Sequence, residues 1–159
     1  MMREHLLLVP PNLKLKAKRT PMRSKPRPTK PDEWWGIDIT KVLVQGFGWI
    51  HIVVGLDWYT KTIVGYAAGM QCKAQDWLTA LYMAGNRQFP AGVRGQGLSL
   101  MSVKGCQPTS TSLMRTYAIL GIHQVFTSYN NPKGNVDTER VMRTLKEECL
   151  GLREWTCSL

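Results

Sequence analysis

Residues 34–68 read WWGIDITKVLVQGFGWIHIVVGLDWYTKTIVGYAA. Ile37, Ile39, Val42 and Val44, with Asp38 and Thr40 between them, have the β-branched, alternating character of a strand. Gln45-Gly46-Phe47-Gly48 has turn chemistry. Trp49 to Leu56 is a second dense β-branched run, Asp57 to Lys61 a second turn, and Thr62 to Ala68 a third strand. Three strands joined by short turns predict an antiparallel meander.

Downstream the periodicity changes from two to three and four. Trp77, Leu78, Leu81, Tyr82 and Gly85 predict a helix that ends before Pro90. Leu98 to Val103 is a short apolar strand. A second helix starts near Ser110, carries Leu113, Met114, Tyr117 and Leu120 on one side, and stops at Gly121. Ile122 to Thr127 is a fifth strand, and residues 128–135 form a polar loop. The last helix spans about Val136 to Leu150, with an expected apolar stripe of Met142, Leu145, Cys149 and Leu152. The order β-β-β-α-β-α-β-α predicts an α/β domain: a mixed five-stranded sheet, three antiparallel strands first, with helices on its faces.

Upstream of residue 34 the composition differs. Residues 1–33 hold nine Lys or Arg against three acids, which is +6 of the chain's net +10, and six of its nine prolines. Arg19, Arg23, Lys25, Arg27 and Lys30 alternate with Pro21, Pro26, Pro28 and Pro31, a pattern that builds neither helix nor sheet. It reads as an extended linker, and equally as a linker that tracks phosphates. The expected organisation is therefore a basic tail over 1–33, a catalytic-type core over 34–155 and a short end over 156–159.

The bulk numbers exclude several classes. At 159 residues the chain supports a single well-buried core. No apolar run approaches the eighteen or so residues of a membrane helix, so no membrane partner is expected. Cys72, Cys106, Cys149 and Cys157 form no Cys-x-x-Cys pair, and the three histidines are scattered, so free thiols and no structural zinc are expected.

After residue 33 only eight acids remain. Asp38 sits within an apolar strand, where an acid is costly unless paired or liganded. It could equally bond a turn amide. Glu139 falls early in the last helix, and Arg143 and Lys146 follow at four and seven residues on one face. An acid flanked by two bases suits a hard metal ion beside a phosphate, and it also suits a plain i,i+4 surface pair. Asp57 reads as a turn residue, and Asp137 as a residue that caps or precedes the last helix.

These motifs resemble, in order, the catalytic core of the DDE transposases of bacterial insertion sequences, relatives of retroviral integrases. Trp35-Gly36-Ile37-Asp38-Ile39-Thr40 is similar to the family's first-strand motif. Leu56-Asp57 through Ile63-Val64-Gly65-Tyr66 is similar to its second and third strands. Ser102-Val103-Lys104-Gly105-Cys106-Gln107-Pro108-Thr109-Ser110 matches the segment with the central acid, Asn130 to Asn135 the loop before the last helix, and Thr138-Glu139-Arg140 through Glu148 the helix with the catalytic Glu.

The resemblance implies a ribonuclease-H-like fold and metal-dependent DNA cleavage and strand transfer. It implies Asp38 and Glu139 as catalytic and metal-binding acids, Mg²⁺ or Mn²⁺ as cofactor, and transposon-end and target DNA as partners. It also implies DNA contacts from Lys146, Arg143, Lys133 and Asn135, a homo-oligomer, and a cytoplasmic location on the bacterial nucleoid. One departure bears on activity. Val103, separated from Glu139 by thirty-five residues, stands where the central Asp is expected. A hard cation loses an oxygen ligand there, so metal binding and activity should be impaired. Relative to the family the chain also reads as shortened at both ends.

The alternative reading is a non-catalytic DNA-binding remnant that keeps the fold and the basic face. Two others are a nuclease acting on RNA–DNA hybrids and a generic basic RNA-binding protein. The motifs favour the transposase branch over the first, and no aromatic-rich stacking motif of the usual RNA modules supports the second.

Overall fold

The computed structural model describes residues 26–103, 107–127 and 135–156. The meander is present as β1 (Trp34–Gln45), β2 (Gly48–Asp57) and β3 (Ile63–Gly69). β1 pairs antiparallel with β2, from Trp35 opposite Asp57 to Val44 opposite Gly48, and β2 pairs antiparallel with β3. Then come α1 (Ala74–Gln88), β4 (Ser99–Ser102), α2 (Thr111–Leu120), β5 (His123–Phe126) and α3 (Val136–Leu145). β4 and β5 add in parallel on the other side of β1, giving the order β3-β2-β1-β4-β5.

Local chemistry explains the helix ends. Asp76, in the first turn of α1, accepts the backbone N–H of Lys73 at 2.9 Å. Ser110 caps α2 by accepting the N–H of Leu113, and Gly121 ends it in the left-handed conformation at φ 66°.

Alternation along β1 divides the sheet between two cores. Trp35 and Ile37 face α1 and α2, and join Val53, Val64, Leu81, Leu100, Leu113 and Tyr117 in the larger cluster. Leu56, Trp58, Met101 and Val125 form a smaller cluster on the opposite face, against which Trp34 and Val141 of α3 pack. Each fully buried aliphatic or aromatic side chain here is worth roughly 1.5–3 kcal/mol relative to exposure. Close approach of helix to strand depends on glycine. A Cβ on Gly65 of β3 would meet the backbone of Ala80 and Ala84 in α1.

The structure departs from the sequence reading in two places. Trp155–Thr156 form a sixth strand, β6, parallel to the far end of β1 with Trp155 beside Val44. Trp155 anchors it by donating from its indole N–H to the Leu150 carbonyl at 3.0 Å. The last helix also loses the expected stripe. Thr138 and Met142 are its buried residues, whereas Cys149 is exposed and Leu152 is 71% exposed. Residues Lys146–Leu150 form a wider, π-helical turn, closed by Gly151 N–H to the Lys146 carbonyl at 2.7 Å. An i to i+5 turn breaks the three-four spacing on which that stripe was projected.

Candidate active site

On the α3 side of the sheet, β1 presents Trp34, Gly36 and Asp38. α3 reaches this strand because residue 36 has no side chain. A Cβ there would collide with the Thr138 hydroxyl and the Trp58 indole nitrogen. In the space left free, Trp58 donates its indole N–H to the buried Thr138 hydroxyl at 2.9 Å. Glycine inside a strand signals such close approach, yet the sequence does not say what approaches. The contact fixes the start of α3 one strand position from Asp38, and Glu139 follows Thr138 directly.

Asp38 is half-buried, and one carboxylate oxygen accepts the N–H of Ile39 at 2.8 Å. Burial raises its pKa above the ordinary aspartate value. The Ile39 hydrogen bond opposes that rise, the Glu139 charge adds to it, and the Lys146 charge opposes it. Asp38, Glu139 and Lys146 therefore share one electrostatic neighbourhood. Glu139, Arg143 and Lys146 are exposed along α3. Among the described residues Glu139 forms no ion pair with Arg143, so the plain surface pair is not made.

Position 103 belongs to the same neighbourhood. The parallel β1–β4 ladder ends with Ile37 beside Ser102, so the next step places residue 103 beside Asp38. Leu100 lies in the α1–α2 core and Met101 in the α3-side core. Alternation then turns Ser102 to the first face and residue 103 to the face of Asp38. The valine there is 44% exposed, an apolar side chain at a half-open position.

The acids Asp57 and Asp137 have partners of their own. Asp57 is fully buried and held in its turn, accepting from the Tyr59 N–H at 3.0 Å and the Thr60 hydroxyl at 2.9 Å. It is paired in register with Trp35, which places it on the opposite face of the sheet from Asp38. Asp137 is an ion-pair partner rather than a cap, meeting Lys61 Nζ at 3.0 Å. The N-cap position belongs to Asn135, whose side chain makes no capping bond. Asn135 is completely buried, with neither amide atom hydrogen-bonded among the described residues, and so does not share the surface of Arg143 and Lys146. Lys133 lies outside the described residues.

Among the described residues no cluster of three or more His, Cys, Asp or Glu could hold a metal ion. Asp38 and Glu139 offer oxygens for one hard cation. A pair of cations needs a further carboxylate at position 103, where valine supplies two methyl groups, so the residues present do not fit a two-metal centre.

A mixed sheet of this order, with the last helix on the first strand, defines a ribonuclease-H-like α/β domain. No family model matches the sequence, and no curated protein matches it. Solved structures do match. A chain of the simian T-cell lymphotropic virus intasome, in complex with the PP2A regulatory subunit B56 gamma, superposes with a TM-score of 0.64 at 18% identity, over 81% of this chain. The catalytic core domain of BIV integrase gives 0.56 at 19% identity over 73% of this chain. The HTLV-2 integrase catalytic core domain, in a trimeric form with magnesium, gives 0.59 at 14% identity over 76%. This chain spans 45% of the simian virus chain and 68% and 70% of the two core domains. The fold is that of the retroviral integrase catalytic cores.

Proposed function

We propose that this chain is a DNA strand-transfer catalytic core of the insertion-sequence transposase branch, impaired in metal-dependent chemistry by Val103 and retaining a DNA-binding face. The observation that carries the proposal is the convergence of Asp38, position 103 and the Glu139-bearing helix on one face of the sheet. A DDE-type centre would use three carboxylates, of which Asp38 and Glu139 would supply two.

Asp38 and Glu139 would hold a single Mg²⁺ or Mn²⁺, weakly. Arg143 and Lys146 would take phosphates of transposon-end or target DNA. Action on two DNA ends implies a homo-oligomer, and the protein would work in the bacterial cytoplasm on the nucleoid. The second reading, a non-catalytic DNA-binding remnant, is favoured by the same valine together with the surviving basic face.

Two assays on the full chain separate these readings from each other and from failure. Anisotropy of a labelled duplex should show binding that weakens with salt, and Arg143→Gln and Lys146→Gln should each reduce the salt slope by about one. Absence of DNA binding overturns both readings. Cleavage of the duplex in Mg²⁺ or Mn²⁺ should be slow but detectable if the core is only impaired, and absent if the chain is a pure binder.

A further inference from the structure

The structure holds a second feature that the proposed chemistry does not use. An open cleft of about 830 Å³ lies between the end of the basic, proline-rich segment, the β2–β3 turn and the first turn of α3. Arg27 and Pro28 form one wall, Trp58, Tyr59 and Lys61 another, and Asp137 belongs to the third. Trp58 is buried and stacked on Trp34 with ring centroids 5.8 Å apart and an 11° interplanar angle, so that wall is rigid. Tyr59 is half-exposed. Its backbone, not its ring, is tied into the turn through Asp57.

Building on the proposed DNA-binding function, we propose that this cleft holds one or two unpaired nucleotides of a DNA strand, a base stacking on Tyr59 and a phosphate meeting Arg27. Three features point to single-stranded nucleic acid. An exposed aromatic ring on a fixed turn is a stacking platform that accepts any base. Arg27, exposed in the described part of the proline-rich segment, lines the cleft and carries charge complementary to phosphate. The volume is of small-ligand scale, enough for a nucleotide or two and too small for a duplex. Asp137 engages Lys61 at 3.0 Å, which offsets that cation and leaves Arg27 as the main phosphate partner.

The test is anisotropy of a labelled single strand of about twelve nucleotides, and of a hairpin duplex of similar length, without metal at about 50 and 200 mM salt. Tyr59→Ala should weaken single-strand binding about tenfold or more, while Tyr59→Phe stays within about twofold. Arg27→Gln should lower the single-strand salt slope by about 0.7. Duplex affinity should be unchanged in both tyrosine variants, and near-ultraviolet circular dichroism would verify their fold. Wild-type single-strand affinity in Tyr59→Ala, with duplex binding intact, overturns the cleft proposal alone. Absence of binding to either DNA by the wild-type chain overturns it together with the function on which it rests.

Discussion

Val103→Asp isolates the feature that sets this chain apart. Neighbouring strands run about 4.8 Å apart, so a carboxylate at 103 would stand roughly 5 Å from that of Asp38. At an effective dielectric near 20, two charges at that distance repel by about 3 kcal/mol. The position is 44% exposed, and solvent screening reduces this to about 1 kcal/mol. Losing the buried half of a valine adds about 1 kcal/mol. Without metal the variant should therefore be less stable by about 2 kcal/mol, a Tm lower by about 4–8 °C for a chain of this size.

Metal reverses the sign. Three carboxylates around one point gain from a hard cation what they lose by repulsion. At a metal concentration about a hundredfold above Kd, binding stabilises the fold by about 2.7 kcal/mol, or roughly 5–11 °C. Differential scanning calorimetry with and without Mg²⁺ should show that rise in the variant and less than about 3 °C in the wild-type chain. Equal shifts in both would refute the reasoning, because position 103 would then be irrelevant to metal. No shift in either would remove the metal site. If the variant binds, two-metal stabilisation of about 4 kcal/mol would raise its cleavage rate about a thousandfold over the wild type.

Other perturbations test the scaffold of the site. Gly36→Ala should destabilise by about 1–3 kcal/mol, because α3 must move to admit the new methyl group. Its urea midpoint should fall and its tryptophan emission change as the Trp58–Thr138 bond is lost; an unchanged midpoint would mean α3 does not rest on residue 36. Asp38→Asn should be more stable than wild type at pH 7. The folded state raises the Asp38 pKa, so ionisation costs stability as pH rises through that value, and the advantage should vanish below pH 3.8, the ordinary aspartate value. Urea titrations at pH 7 and near 3.5 would show the gap closing, and a gap independent of pH would contradict the assignment. Ser102→Ala should raise stability by about 1 kcal/mol in thermal melts, since its fully buried hydroxyl has no hydrogen-bond partner among the described residues; a marked loss would reveal a bond to that hydroxyl.

Much of the fold was legible because its signals are local. The β-branched run from Trp49 to Leu56 could hardly be other than a buried strand. Ser110 and Gly121 mark their helix ends by hydrogen-bonding and backbone preferences that act within a few residues. The site was legible to the extent that Asp38 is an acid in an apolar strand and Glu139 precedes two bases at helical spacing. What escaped is set by contacts between distant segments. Nothing near Thr138 announces that it fills the space over Gly36, and nothing near Trp155 announces a ladder with Val44. The burial of Asn135, expected on the surface, depends on how the start of α3 seats on the sheet. The stripe through Cys149 and Leu152 failed because one wide turn changes the helical phase, and no residue in Lys146–Leu150 dictates that turn.

Under the proposed function, the placement of residue 103 would let the chain keep this fold without the metal centre. The residues that hold the sheet together at this point are Leu100 and Met101, both buried and one on each face. Residue 103 lies one step past the last β4 pair, where its side chain contributes little to either core. An acid there would be a cost in the absence of metal, since burial, with the Glu139 charge adding to it, already raises the Asp38 pKa. A valine removes that cost and leaves the exposed Arg143 and Lys146 unchanged. Under the proposed function, metal chemistry and DNA affinity would rest on separable residues of one helix–strand contact, so that a change at position 103 would remove the first without the second.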